Sequence, residues 1–513
     1  MGTVSNRRVA KNTVILYFRM LLTMAVALYA SRVILKVLGA SDFGLYNVVG
    51  GVVTMLSFLN GSLSAGTSRF ISFALGKGDK EKLSSIFNVS LTAHIGIALF
   101  IFLIAETIGL WFVNTQMVFP QDRTLAVNIV YQLTILTAML SFTQAPFTAD
   151  IIAHEQMTVY AYGSIGEAVL NLGMVLLLMV INTPDSLITY SIMVFVVKTI
   201  IIIYYRYYCV KHYEESKWKF VKDKSLYKEI ISFSGWDIIG NLTIVTQGQG
   251  INILLNIYFG PIVNAARAIA YQVQGAFQNF SGNFMMAVNP QIIKSYSRGE
   301  KEDMIKLINN SALFSFLLLL LFMFPVFFKL NSILVIWLDE FPDHTHDFTI
   351  LVLIMIMIRA LANPVVRGIH ATGDIKSLNI YAGIFGLLPL PAAWICFKIG
   401  LDAISAFWIL LVWALFANAI EIIILKSKLR FDFSIKQHLL YVYLRCVLSV
   451  VCVCAPVYLL SISFGDSFIN FCFYYGLSLI VEAFILFFVG APKEVRLKIV
   501  QFIKSKYETF RAK

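Results

Sequence analysis

Apolar stretches of 20 or more residues recur from one end of this chain to the other. Each is long enough to cross the roughly 30 Å hydrocarbon core of a bilayer as an α-helix. Composition agrees: of 513 residues, 58% are hydrophobic and 14% charged, against about 25% charged in soluble domains, and mean hydropathy is +0.77. Too little polar surface exists to cover the chain in water. A cytosolic enzyme, a nucleic-acid-binding protein and a secreted disulfide scaffold are all excluded, and an all-α polytopic membrane protein is expected.

Hydropathy marks fourteen candidate spans, near 13–38, 43–73, 83–113, 124–151, 159–181, 187–208, 229–259, 263–293, 304–329, 348–371, 377–398, 403–425, 439–463 and 467–490. An even number puts both termini on one side. Assigned to loops on that basis, the side holding the termini carries 29 Lys and Arg, while the other carries only Lys36, Arg123, Lys329 and Lys398. The positive-inside rule therefore places both termini in the cytoplasm, and Arg7, Arg8 and Lys11 precede an uncleaved first helix. The net charge of +12 is mostly topology, not a signature of nucleic-acid binding.

The chain also repeats itself. Gly76-Lys77-Gly78-Asp79-Lys80-Glu81 follows the second span and Ser297-Arg298-Gly299-Glu300-Lys301-Glu302 follows the eighth, with Gly78 and Gly299 separated by 221 residues. The same offset relates Gly39 to Gly260, Gly61 to Gly282 and Asn88 to Asn309, and Pro146 and Pro364 differ by 218. Spans one to six thus recur as seven to twelve. The expected organisation is an N-lobe (1–208), a cytoplasmic linker (209–228), a C-lobe (229–425), helices thirteen and fourteen (426–490) and a basic cytoplasmic tail (491–513). Six is even, so the lobes share orientation and a pseudo-twofold axis along the membrane normal would relate them, a plan suited to alternating access.

Chemistry is hard to find. No G-x-x-x-x-G-K-[ST] loop occurs, so the chain carries no ATPase of its own. The six cysteines lie in or beside apolar segments without a C-x-x-C pair and read as packing residues. Asp343-His344-Thr345-His346-Asp347 offers metal-ligand types but reads better as a solvated outer loop. Pro146, Pro290, Pro364, Pro389 and Pro391 read as kinks.

The embedded charges are more informative. An Arg at mid-span costs about 2.5–3.5 kcal/mol on insertion scales, so it faces a cavity or a partner. Arg267 lies near the outer end of span eight, which also carries Gln272, Gln274, Gln278 and Asn279; span seven supplies Gln247, Gln249 and Asn252. Together these would build a wet, cationic surface. Arg19 and Arg32 share span one and Arg359 sits mid-span ten. Blander readings stay open: Arg69, Arg445 and Arg19 could snorkel to the inner boundary, and Lys198 or Arg359 could pair with Glu106, Glu167, Glu421 or Glu482.

The residues Ser31-Arg32-Val33-Ile34-Leu35-Lys36-Val37-Leu38-Gly39 and Asp42-Phe43-Gly44-Leu45-Tyr46-Asn47-Val48-Val49-Gly50-Gly51, continued by Arg69-Phe70 and the 76–79 loop, resemble the opening of bacterial polysaccharide flippases. These belong to the multidrug/oligosaccharidyl-lipid/polysaccharide exporter superfamily. The resemblance implies two six-helix lobes around a cationic lumen, with helices thirteen and fourteen appended. It further implies a protein of the bacterial inner membrane that moves undecaprenyl-pyrophosphate-linked oligosaccharides between leaflets for O-antigen, capsule or exopolysaccharide synthesis. Partners would be a glycan polymerase and other polysaccharide-assembly proteins, with no cofactor. Lys36 matches a basic family position, Arg32 one typical of a narrower subgroup, and Ala266-Arg267 resembles the arginine near the start of helix eight in related flippases.

The expected site is therefore Arg32, Arg267, Arg359 and Arg19 for pyrophosphate or acidic sugar, with Gln247, Asn252 and Gln274 for hydroxyls. Guanidinium groups bind phosphate oxygens bidentately. A multidrug or cation antiporter of the same superfamily is the competing reading, but it calls for exposed carboxylates, and eight basic residues lie within spans against six acidic ones (Glu106, Asp150, Glu167, Asp237, Glu421, Glu482). A membrane enzyme would need a larger outer loop than the one near 330–347.

Overall fold

A computed structural model describes residues 2–55, isolated residues between 63 and 75, and 78–497 apart from 155, 182, 373–375, 430 and 431, with 501. Side chains are described from residue 22, with gaps at 231–241 and at scattered positions, mainly in 279–297 and 376–384. Among the described residues the structure is helical and contains no strand. Fifteen helices account for it: α1 (Gly2–Thr54), α2 (Lys80–Thr115), α3 (Thr124–Ala153), α4 (Met157–Val180), α5 (Ser186–His212), α6 (Lys224–Phe259), α7 (Pro261–Ser297), α8 (Lys301–Phe328), α9 (Leu330–Leu338), α10 (Thr345–Ala371), α11 (Lys376–Phe385), α12 (Pro389–Lys398), α13 (Ile404–Leu429), α14 (Ile435–Ser463) and α15 (Phe468–Gly490). Ten of the described spans are long and apolar enough to cross a membrane. The expected segments coincide with this order. The first two share α1, and the remainder of the second falls largely outside the described residues.

Two expectations change. Pro389 and Pro391 do not kink a continuous span: a turn at 386–388 separates α11 from α12, and Pro389 opens the new helix. Its missing N–H is one a first turn leaves unused. The region 330–347 is not all loop, since its first nine residues form α9.

The repeat is visible in local backbone geometry. Gly39 interrupts α1 with φ 75° and ψ 166°, and Gly260 closes α6 with φ 80° and ψ −178°. Gly78 and Gly299 pair likewise, at φ 70° and 77°. An L side chain resists positive φ, so glycine fixes the same two turns in each half.

The contacts divide the chain into two compact units. The first comprises residues 1–269, 342–344 and 381–406; the second comprises 270–341, 345–380 and 407–513. Within the first, α2, α3, α5 and the start of α6 share a core that includes Phe87, Ile151, Cys209 and Ile230, with Phe87 and Phe147 edge to face at 5.1 Å. Within the second, α15 docks on α8 through two phenols. Tyr474 donates to Pro325 O at 2.9 Å and Tyr475 to Phe322 O at 3.0 Å.

Candidate functional site

The polar belt of the first unit begins with glycine. A Cβ on Gly44 would lie 1.8 Å from Pro261 O, so α1 and the start of α7 touch backbone to backbone there. One on Gly51 would meet the Gln249 and Asn252 amides at 2.6 and 2.8 Å. This close approach brings the polar face of α6 against α1 and α7. Arg267 is buried and donates from one guanidinium nitrogen to Gly248 O at 2.8 Å. Asn264 donates to both the carbonyl and the side-chain oxygen of Asn252, at 2.7 and 2.9 Å. Gln247 reaches Gly386 O at 2.8 Å. Asn256 exchanges hydrogen bonds with the backbone of Val118. Buried amides need such partners.

The structure thus gathers three of the sequence-derived residues, Arg267, Gln247 and Asn252, into one belt. Arg32 is on an exposed face of α1, one turn before the exposed Lys36. Arg19 is also on α1, its side chain outside the described residues, as is Arg69. Gln274, half-buried on α7, and Arg359 belong to the second unit. Arg359 is half-exposed and donates to the buried Glu421 at 2.9 Å.

The other ion pair left open by the sequence also forms. Lys198 on α5 binds Glu167 on α4. The pair lines a cavity of about 440 Å³ that Thr23 and Ala27 of α1, Asn171 of α4 and Tyr190 of α5 help enclose. Glu106 instead accepts from Gln132 at 3.1 Å. The His344 loop does not converge on a site: His344 lies 3.7 Å from Asp402, and His346 approaches its neighbour Asp347.

Sequence reasoning missed two clusters. Arg123 bridges Asp42 on α1 and Asp185, the cap of α5, donating to Asp42 at 3.1 Å and to Asp185 at 2.8 Å. His344 and Asp402 occupy the corresponding places 221 and 217 residues on; extending the 221 offset finds His344, while Asp402 follows the shorter spacing that also relates the prolines to within one residue. The second cluster joins Asp150, His154 and Glu215. Its one sequence signal is the i, i+4 spacing of Asp150 and His154.

The comparisons agree on the fold. No protein-family model matches the chain. Among solved structures, the lipid II flippase MurJ in an inward closed conformation matches 93% of this chain and 99% of its own at TM-score 0.66 and 13% identity. An inward-facing multidrug resistance MATE family transporter of the MOP superfamily matches 81% of this chain and all of its own, at TM-score 0.61 and 12% identity. A MOP superfamily transporter from Pyrococcus furiosus, reported with a binding pocket of reverse polarity, matches at TM-score 0.57 and 14% identity over 82% of this chain and 96% of that one. The chain has the fold of the MOP-superfamily flippases and transporters. By sequence it is similar to the uncharacterized membrane protein EpsK of Bacillus subtilis, 23% identical over 312 residues, a match that covers only 59% of either chain.

Proposed function

We propose that this protein is a flippase that carries a polyprenyl-pyrophosphate-linked oligosaccharide across the inner membrane by alternating access, for surface polysaccharide synthesis. The observation that carries the reading is the fold of a lipid II flippase along nearly the whole chain. The chain joins it to embedded cations: basic residues within the spans outnumber acidic ones, eight to six, as anionic cargo requires. The two halves of the repeat, 1–208 and 229–425, would be the rocking lobes, with both termini in the cytoplasm. Arg32, Arg267, Arg359 and Arg19 would bind the pyrophosphate or acidic sugars, and Gln247, Asn252 and Gln274 the sugar hydroxyls. Binding would cost Arg267 its Gly248 carbonyl and Arg359 its Glu421 partner, so the cargo competes with internal ligands, a natural trigger for a change of state. The lipid tail stays in the bilayer while the head crosses.

The test is a reconstituted one. Vesicles loaded with lipid-linked oligosaccharide should show protein-dependent transfer between leaflets. Substituting all four arginines by glutamine should abolish it, and unchanged transfer would refute the site. The likeness to MATE transporters keeps a multidrug or cation antiporter as the second reading; protection of drug-sensitive cells on expression would favour it.

A further inference from the structure

The Asp150, His154 and Glu215 cluster lies outside the polar belt, where the C-terminal end of α3 meets the segment connecting α5 to α6. Asp150 and His154, one helical turn apart, face the same way. His154 Nε2 lies 2.7 Å from Glu215 Oε1 and 3.6 Å from Asp150 Oδ1. The three donor atoms all fall within 4.8 Å of one another.

The surroundings hold this arrangement in place. Asp150 is fully buried, and its Oδ2 accepts from Ser216 Oγ at 2.7 Å. Its Oδ1 has no hydrogen-bond partner among the described residues and is directed at His154. Tyr213 stacks on the imidazole, centroids 4.0 Å apart and planes 4° from parallel. Asn88, also fully buried, grips the backbone that carries Glu215. Its Nδ2 donates to Glu215 O at 3.3 Å and Lys217 O at 3.4 Å, and its Oδ1 accepts from Lys219 N at 2.7 Å.

Two carboxylates this close, one wholly removed from water, are held together either by a proton or by a cation between them. An imidazolium supplies one positive charge; a divalent ion supplies two and also engages the free Oδ1. One imidazole nitrogen, two carboxylate oxygens and hydrogen-bonded outer partners form a donor set of zinc type, which closes at about 2.0–2.2 Å per bond. Glu215 sits in the turn after α5, off any helix, and its side chain is the one that would make that contraction.

We propose that Asp150, His154 and Glu215 bind a divalent transition-metal cation of the zinc class, clamping the α5–α6 connection to the C-terminal end of α3. The corresponding positions of the second half are Gly368 and Thr372, by the Pro146 to Pro364 offset, so the clamp belongs to the first half alone. The ion binds neutral histidine and displaces any proton it holds, so acid weakens binding.

The full chain, purified in detergent and stripped with chelator, is titrated with zinc chloride by calorimetry and with cobalt(II) by visible absorption. One equivalent should bind, and cobalt should give bands in the visible that vanish in His154→Gln. Glu215→Gln should weaken zinc by at least about tenfold, and Ser216→Ala, which removes an outer partner, by about tenfold. Glu214→Gln, whose side chain points to solvent beside Lys217, should leave affinity unchanged. His154→Gln and Glu215→Gln keep the buried Asp150 intact, so their monodisperse elution separates lost binding from lost folding. No saturable binding to folded wild-type protein, or unchanged affinity in both variants, overturns the proposal.

Discussion

The same junction is built twice in this chain, and the two versions differ in chemistry. After α5, which closes the first half, Asn88 makes three hydrogen bonds to the connecting backbone, with Asp150 and His154 beside it. After α13, which closes the second half, Asn309 Oδ1 meets His438 Nδ1 at 2.6 Å and Asn310 meets the Tyr441 hydroxyl at 2.8 Å. Where the first half places Asp150, the second places Gly368, against the methyl groups of Ile308 and Leu425. The position of the asparagine is common to both; the buried ionic cluster is not. Duplication kept the geometry that fixes the connection, while the stabilising medium changed from charge to hydrocarbon.

Copying the first half's carboxylate into the second is the harshest way to break that comparison. Gly368→Asp should cost about 3–5 kcal/mol, because a side chain there meets Ile308 and Leu425 first and the charge is left against aliphatic groups. Thermal unfolding in detergent measures it, and a neutral outcome would mean the junction relaxes freely. Asn88→Ala should cost about 2–3 kcal/mol, since several backbone groups around a buried side chain lose partners together. Asn309→Ala should cost about 1 kcal/mol for its bond to His438. Equal losses for the two asparagines would erase the contrast between the two junctions.

The smallest effect lies on the second unit's loop before α15. Hydrogen bonds from Lys329 and Ser332 hold the exposed Asp466 carboxyl below the usual carboxylate range. A depressed folded-state pKa stabilises above the unfolded value and is lost as pH falls through the folded one. The small difference between wild type and Asp466→Asn should therefore persist from pH 7 to 5 and disappear below about pH 4. A difference that grows on acidification would reverse the assignment.

Much of this was legible in the sequence, for definite reasons. Span lengths follow from bilayer thickness, and Gly39, Gly78, Gly260 and Gly299 reveal the repeat because positive φ leaves few alternatives to glycine. Arg267, Gln247 and Asn252 are expected on one surface, and they share a belt because α7 returns along α6 after the Gly260 turn, bringing Arg267 to Gly248 O and Asn264 to Asn252. The sequence named the possible acidic partners of Lys198 and Arg359, and the fold selected Glu167 and Glu421. The Asp150 cluster was illegible because its parts, from residue 88 to 219, are separated by three helices. Hydropathy records their polarity but carries no information on which of them meet. Helix breaks were ambiguous too, since proline permits a kink or a helix start, and Pro389 takes the second.

The central claim, cargo that crosses the membrane on a lipid, is tested most directly in the host. Deleting the gene and locating its lipid-linked glycans should show intermediates held on the cytoplasmic leaflet, with surface polysaccharide lost. Glycans distributed as before, together with new sensitivity to cationic drugs, would contradict the flippase and establish an antiporter in its place.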